Sequence, residues 1–179
     1  MEKNIEKIYD NQLFNGLETD EIKQIFSCSK AKIEIFEDGQ TVFLKDDVIR
    51  NLGIVLEGEF NLISQKYNGT RVIVTTLEEN DLFGEALIFS TAKLSPYDLV
   101  SSGQSKALFI PKSFLNTVCP EACNFHNKLI SNMLGILSDK ITMLNNKMKI
   151  LNAETIKSKI SIYLLSIYNK TNKLTFDMP

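Results

Sequence analysis

The sequence predicts a mainly β fold with added helices: a double-stranded β-roll of the jelly-roll type, followed by one long helix. Before residue 119, short apolar runs alternate with turn residues, which is typical of all-β sandwiches and barrels. After Pro120 the apolar period becomes helical and stays so for about four heptads. The 179 residues suffice for one such domain and an appended helical segment.

A short helix is expected ahead of the strands. In ETDEIKQIF, Thr19 is placed to cap the helix, and Ile22, Ile25 and Phe26 form one apolar face. The apolar runs that we interpret as strands span 31–36, 41–44, 52–58, 59–64, 71–77, 98–102 and 106–111. Asn68-Gly69 lies between two of these runs and predicts a tight hairpin, because both residues tolerate a positive φ.

The helix after Pro120 carries two apolar stripes. The first stripe recurs every seven residues in two series offset by four, which is the pattern of a coiled-coil seam. Its members are Ile130, Leu134, Leu137, Ile141, Leu144, Met148 and Leu151. We assign this seam to a second subunit, which predicts a homodimer, and the stripe of Leu129, Met133, Ile136 and Met143 to the β-roll. A helix buried in its own domain is the alternative.

A second helix is expected after Asn152, which we interpret as its N-cap, with Glu154 in the first turn. The segment LTFDMP then begins a strand with nothing downstream to pair with, so we expect a truncated protein. The predicted domains are therefore residues 1–118 for the β-roll, 119–151 for the dimerisation helix, and 152–179 for a hinge and the start of a further domain.

Composition and charge argue against several classes of function. The formal net charge is -2, and no basic face suited to nucleic acid is evident in this chain. No signal peptide or membrane-spanning apolar run is present, so we predict a cytoplasmic protein without membrane contact. A jelly-roll metalloenzyme needs several histidines, whereas the single His lies outside the predicted strands. We predict that the chain is not an enzyme.

The order of these elements resembles the sensor half of the Crp/Fnr transcription regulators. LFNGLETDEI resembles the family's opening helix, and LGIVLEGEFNLI its central strands, with Gly58 at the turn. DLFGEALIF resembles its phosphate-binding cassette, and KALFIPKSF its exit strand. The resemblance implies a cyclic-nucleotide-binding-like effector domain and a dimerisation helix. It also implies a winged helix-turn-helix that binds DNA in the full-length protein and is missing after LTFDMP.

The cassette is the predicted ligand site, and its residues are Phe83, Gly84, Glu85, Ala86, Ser95 and Pro96. A glycine turn into a helix exposes backbone N–H groups that favour an anion. The resemblance implies that Glu85 binds a ribose hydroxyl, and that an arginine followed by serine or threonine binds the cyclic phosphate. Those two positions are Ser95 and Pro96 here.

Losing the arginine would cost roughly 2–5 kcal/mol of phosphate binding. We therefore predict a small-molecule effector other than cyclic AMP, whose identity the sequence does not give. A cyclic-nucleotide-binding regulatory module with another output is the alternative. A purely structural role for Gly84 and Glu85, as a turn glycine and a helix N-terminal acid, is also open.

A second candidate site lies at the start of the long helix, in CPEACNFH. Cys119, Cys123 and His126 could share a soft metal ion or sense oxidation. Packing is the alternative for all of them, because buried free cysteine commonly acts as a small hydrophobe. Cys28, which stands alone after the first helix, is assigned to the core.

Overall fold

A computed structural model of the chain describes residues 8–91, 94–116, 124–172 and 175. The chain divides into two compact units, Met1–Leu134 and Gly135–Pro179. The strands are β1 (Lys32–Phe36), β2 (Thr41–Phe43), β3 (Asn51–Gln65), β4 (Arg71–Leu77), β5 (Leu82–Phe83) and β6 (Asp98–Pro111). The helices are α1 (Thr19–Ser29), α2 (Glu85–Phe89), α3 (Lys112–Asn116), α4 (Asn124–Leu151) and α5 (Ile156–Thr171). The predicted boundary at residue 118 falls in the segment 117–123, which the structure does not describe.

The strands form one antiparallel sheet in the order β1-β6-β3-β4, with β2 paired to β6 and β5 paired to β3. The long strands β3 and β6 pair with each other from Asn51 opposite Pro111 to Ile63 opposite Asp98. Each of them also pairs with shorter strands along its length, which lets one sheet fold over into the two layers of a roll. The jelly-roll prediction is confirmed.

The two long strands merge runs that the sequence separates. Residues 52–58 and 59–64 belong to β3, and residues 98–102 and 106–111 belong to β6. Gly58 and Gly103 both have a φ of 76°, and the pairing of the two strands shifts register between Val55 and Glu59. The glycines therefore form bulges that bend continuous strands. The expected turn at Gly58 was wrong.

The hairpin between β3 and β4 is confirmed, but its turn differs from the expected one. The Lys66 N–H donates to the Thr70 carbonyl at 2.9 Å, which leaves a three-residue loop. Of the Asn68-Gly69 pair, only Gly69 has a positive φ, at 81°. Asn68 instead accepts the Thr70 N–H through Oδ1 at 3.1 Å. A type I turn followed by a left-handed glycine gives this geometry.

Helix α1 differs from the prediction at its start and near its end. Its N-cap is Glu18 and not Thr19, and the Glu18 N–H donates to Glu21 Oε2 at 2.8 Å. Cys28 is exposed and not in the core. The buried face of α1 continues from Ile22 and Ile25 to Ser29, which leaves Cys28 turned away from it.

The interior of the β-roll is packed with phenylalanine rings. Neighbouring ring centroids lie 5.5–6.4 Å apart within the group Phe36, Phe43, Phe60, Phe83 and Phe109. A Cβ atom at Gly53, near the start of β3, would overlap the Phe83 ring. Glycine at this position thus makes room for the side chain of Phe83, the first residue of the cassette.

Helix α4 begins against the N-terminal segment of the first unit. The Asn132 side chain donates to the carbonyls of Leu13 and Asn15 at 3.0 and 2.9 Å, and the Lys128 ammonium donates to the Gly16 carbonyl. The second predicted stripe is buried at Leu129, Met133 and Ile136. Its last predicted member, Met143, is 45% exposed, so that part of the assignment was wrong.

Helix α5 is capped by Thr155, whose Oγ1 accepts the Ser158 N–H at 3.1 Å. The N-cap prediction at Asn152 was wrong, because the Asn152 N–H donates to the Met148 carbonyl at 2.9 Å and so completes the end of α4. Glu154 precedes the cap as a result. Apart from Thr175, the predicted strand in LTFDMP lies in a part of the chain that the structure does not describe. Among the described helices, none combines the length and apolarity needed to cross a membrane.

Candidate functional site

The cassette turn is built around Gly84, which follows β5 and caps α2. Gly84 has a φ of 79°, and a Cβ there would lie 2.9 Å from the Asn51 carbonyl oxygen. Both the backbone conformation and the close approach to Asn51 therefore favour glycine. The Gly84 carbonyl accepts the N–H groups of Leu87 and Ile88 at 3.0 and 2.9 Å, which starts α2. Glu85 is buried in this turn, and Ala86 is exposed.

Ser95 stands where the resemblance places an arginine, and its polar groups are used within the fold. Its N–H donates to the Asp47 carbonyl at 2.9 Å, and its carbonyl accepts the Asp46 N–H at 2.8 Å. Its hydroxyl donates to the Tyr97 carbonyl at 2.7 Å. The following Pro96 is exposed and has no N–H to donate. These two positions thus supply neither a cation nor a backbone donor for a phosphate.

The side chains of Arg71 and Lys112 each have a contact elsewhere in the fold. The Arg71 guanidinium lies 4.0 Å from Asp98 Oδ2, and the Lys112 ammonium lies 5.7 Å from the centre of the Phe89 ring. Phe89 is the last residue of α2, at the opposite end of the helix from Gly84. Lys93, the basic residue next in sequence to Ser95, lies outside the described residues.

A cavity of about 470 Å³ lies beside the cassette and shares Phe83 with it. Its apolar lining comes from Val42, Phe43, Phe83 and Phe109, and its polar lining includes Glu34 and Arg50. The loop 47–51 forms the remaining wall. No local sequence pattern indicates this cavity, because its residues come from separate strands. The signal available was the phenylalanine in each of β2, β5 and β6.

The heptad residues of α4 differ in their solvent exposure within a single chain. Ile130 and Leu137 are half-buried. The others are between 56% and 69% exposed, and they are Leu134, Ile141, Leu144, Met148 and Leu151. Dimerisation through this seam stays a prediction.

The second candidate site is described only at His126. Its ring is 6% exposed and stacks against Phe114 with 4.8 Å between ring centroids. Neither ring nitrogen has a hydrogen-bond partner in the described parts of the chain. Cys119 and Cys123 lie in the segment 117–123, outside the description. No group of three metal-binding side chains occurs among the described residues, and metal or redox sensing here stays a prediction.

Comparison with known proteins supports the fold. Residues 33–121 match the family model of the cyclic nucleotide-binding domain. The catabolite activator protein of Thermus thermophilus is similar at 18% identity and a TM-score of 0.65, over 90% of this chain and 72% of that one. A cyclic nucleotide-binding domain from Methylobacillus flagellatus is similar at 15% identity and 0.67, over 87% and 85%.

The sensor domain of the transcriptional regulator DNR from Pseudomonas aeruginosa is similar at 14% identity and a TM-score of 0.59, over 87% of this chain and 99% of that one. No curated protein sequence matches the chain. The chain therefore contains a cyclic nucleotide-binding domain fold followed by long helices. Its structural neighbours include sensor domains of Crp/Fnr transcription regulators.

Proposed function

We propose that this chain is the effector-sensing and dimerisation region of a Crp/Fnr-type transcription regulator, gated by a small molecule other than cyclic AMP. The β-roll would hold the effector, and two copies of α4 would pair along the heptad seam. DNA would be bound by a C-terminal winged helix-turn-helix in the full-length protein. The fold match and the exposed seam of α4 support the proposal.

The state of the cassette supports the proposal that the effector is not cyclic AMP. The cassette keeps the Gly84 turn and the buried Glu85, while Ser95 is buried with its donors and acceptors already bonded to Asp46, Asp47 and Tyr97. A cyclic phosphate in this turn would thus lose its charged partner, which weakens binding by about 30-fold or more. We therefore propose that the β-roll keeps the scaffold of an effector domain but binds an effector other than a cyclic nucleotide.

Signalling in this proposal is a shift between two arrangements of the segment that joins α4 to α5. That segment spans Asn152–Thr155, between the end of α4 and the cap of α5. An effector can move this equilibrium only by binding one arrangement more tightly than the other. Contact with the cassette is the route by which the effector would do so.

A thermal-shift and calorimetric panel on the purified chain tests the proposal. It comprises cyclic AMP, cyclic GMP, haem, divalent metals and small organic acids, each at millimolar or lower concentration as solubility allows. We expect no saturable binding of either cyclic nucleotide, and stabilisation by another member of the panel. Saturable binding of cyclic AMP that Glu85→Gln weakens would overturn the ligand statement and favour a cyclic-nucleotide-binding regulatory module, which the family match also supports.

A further inference from the structure

We infer that the cavity beside Phe83 binds a small organic cation, whose ammonium head interacts with Glu34 and Asp47 and whose apolar body packs on the phenylalanine rings. Of the cassette residues, only Phe83 lines this cavity. The inference therefore goes beyond the proposed function, because it adds a ligand site next to the cassette and holds whichever effector the β-roll binds.

The size and the rings of the cavity suit an apolar body that carries a positive charge. Its volume of about 470 Å³ lies within the range of roughly 300–1,000 Å³ that small-molecule sites occupy. Phe83 is buried, whereas Phe43 and Phe109 are half-buried and so reach closer to solvent. Aromatic rings bury apolar groups, and a ring face also attracts a cation placed within about 6 Å of its centre. A cation with an apolar body can use these rings in both ways.

The charges of the lining select a cation over an anion. Two carboxylates, of Glu34 and Asp47, stand against the one guanidinium of Arg50, which leaves a formal net charge of -1. An ammonium group would bring this lining to neutrality, whereas a carboxylate would add to the negative charge. All three charged side chains are exposed, so the head of the ligand would lie toward the solvent and its body toward the rings.

Both carboxylates can receive an ammonium group. Glu34 makes no ion pair with any residue in the described parts of the chain. Asp47 accepts the Leu44 N–H through Oδ2 at 2.8 Å, which fixes the carboxylate and leaves it charged. An ammonium group has three N–H donors and can therefore bond to more than one acceptor at once.

The cavity is connected to the cassette through its walls. Phe83 lines the cavity and directly precedes Gly84, the cap of α2. On the other side, a Cβ at Gly84 would lie within 3.1 Å of both Asn51 and Ile49, which also line the cavity. A ligand therefore touches the residues on both sides of the cassette turn, and its binding would be felt at the start of α2.

The test is an amide NMR titration of the full chain with phenethylammonium, its uncharged analogue 2-phenylethanol, and the anion phenylacetate, all at one ionic strength. We expect phenethylammonium to shift the resonances of Phe83, Gly84 and Phe109 saturably. The alcohol should bind about tenfold more weakly, and phenylacetate more weakly still.

Two variants should change the affinity for phenethylammonium in opposite directions. Glu34→Gln should weaken it by about three- to fivefold, because an exposed ion pair contributes little. Arg50→Gln removes the cation of the lining and should strengthen it by a similar factor. Lys66→Gln makes the same change of charge in the β3–β4 hairpin, outside the cavity, and should have no effect. None of the three should alter the binding of 2-phenylethanol.

The inference is overturned if phenethylammonium causes no saturable shift, if 2-phenylethanol or phenylacetate binds as tightly, or if Arg50→Gln weakens phenethylammonium binding. Glu34 and Arg50 are exposed, so folded variants are expected, and their amide spectra check this directly. A negative result would leave the proposed function standing, because that function is tested by cyclic nucleotide binding and by the dimer seam and not by this cavity.

Discussion

The two units of the chain differ in how their large apolar side chains are distributed between interior and surface. In Met1–Leu134, Phe36 and Phe60 are buried within a packed aromatic interior. In Gly135–Pro179, large apolar side chains of both helices are exposed, among them Leu144 on α4 and Ile156 on α5. Exposed apolar surface of this kind marks sites of association, since burying it gains about 25 cal/mol per Å². The first unit therefore has a packed interior but also exposes apolar side chains such as Ile35 and Ile73, whereas the second exposes them along both of its helices, as an associating surface would.

The largest effect is expected from Leu144→Lys, which tests the assembly side of this contrast. Leu144 is 56% exposed, so a single chain should tolerate the change. In the proposed dimer, two ammonium groups would face each other across the seam without partners, which should weaken the dimer by roughly 100-fold or more. Sedimentation velocity over a range of protein concentrations measures this loss.

Asp139→Lys is the control for that experiment, because Asp139 is exposed on the opposite side of the same helix. It should leave the dimer intact, although it changes the formal charge more than Leu144→Lys does. An unchanged dimer in Leu144→Lys would show that the seam is wrongly assigned. Dissociation by both variants would point to a general effect of positive charge on α4.

A pair of glycine substitutions compares the two units directly. Gly53→Ala in β3 should destabilise the β-roll by about 1–3 kcal/mol, because the added Cβ would overlap the Phe83 ring in a packed interior. Gly135→Ala in α4 should stabilise the protein by about 0.8–1 kcal/mol, since a Cβ there meets no atom within 4 Å and alanine is the better helix former. Urea unfolding followed by circular dichroism measures both changes.

The two substitutions are expected to change the free energy of unfolding in opposite directions, and each direction tests the packing around one glycine. Stabilisation by Gly53→Ala would mean that the Phe83 ring can move aside without cost, and the aromatic interior would then be loosely packed. Destabilisation by Gly135→Ala would mean that this face of α4 is closely covered in solution. A small effect at both positions would remove the contrast between a packed first unit and an open second one.

The sequence predicted the elements whose signals are local. Alternation identified the runs of β1, β2 and β4, and the heptad period identified α4, because each pattern depends only on neighbouring residues. Gly58 was misread as a turn because a left-handed glycine serves both turns and bulges, and only the partner strand decides between them. The caps at Glu18 and Thr155 were missed because several cap-forming residues stand next to one another.

The candidate site likewise has one part that local sequence predicts and one part that only the fold creates. The cassette residues Gly84 and Glu85 are contiguous, and a motif finds them. The bonds that occupy Ser95 come from Asp46 and Asp47, about fifty residues earlier, and the cavity joins Phe43, Phe83 and Phe109 from separate strands. Such contacts depend on the folded sheet and have no counterpart in local sequence.

The smallest effect is expected at His126, which is buried near the start of α4. Both ring nitrogens are buried without a partner among the described residues, and the ring stacks against Phe114. His126→Phe keeps the stacked ring and removes the buried polar atoms, so it should stabilise the protein by about 1 kcal/mol and raise the Tm by roughly 2–4 °C. His126→Gln, which keeps a buried polar group and loses the ring, should lower the Tm. A loss of stability in His126→Phe would instead indicate that the imidazole has a partner in solution, such as a metal ion shared with Cys119 or Cys123, and a metal chelator should then destabilise the unmodified chain but not the variant.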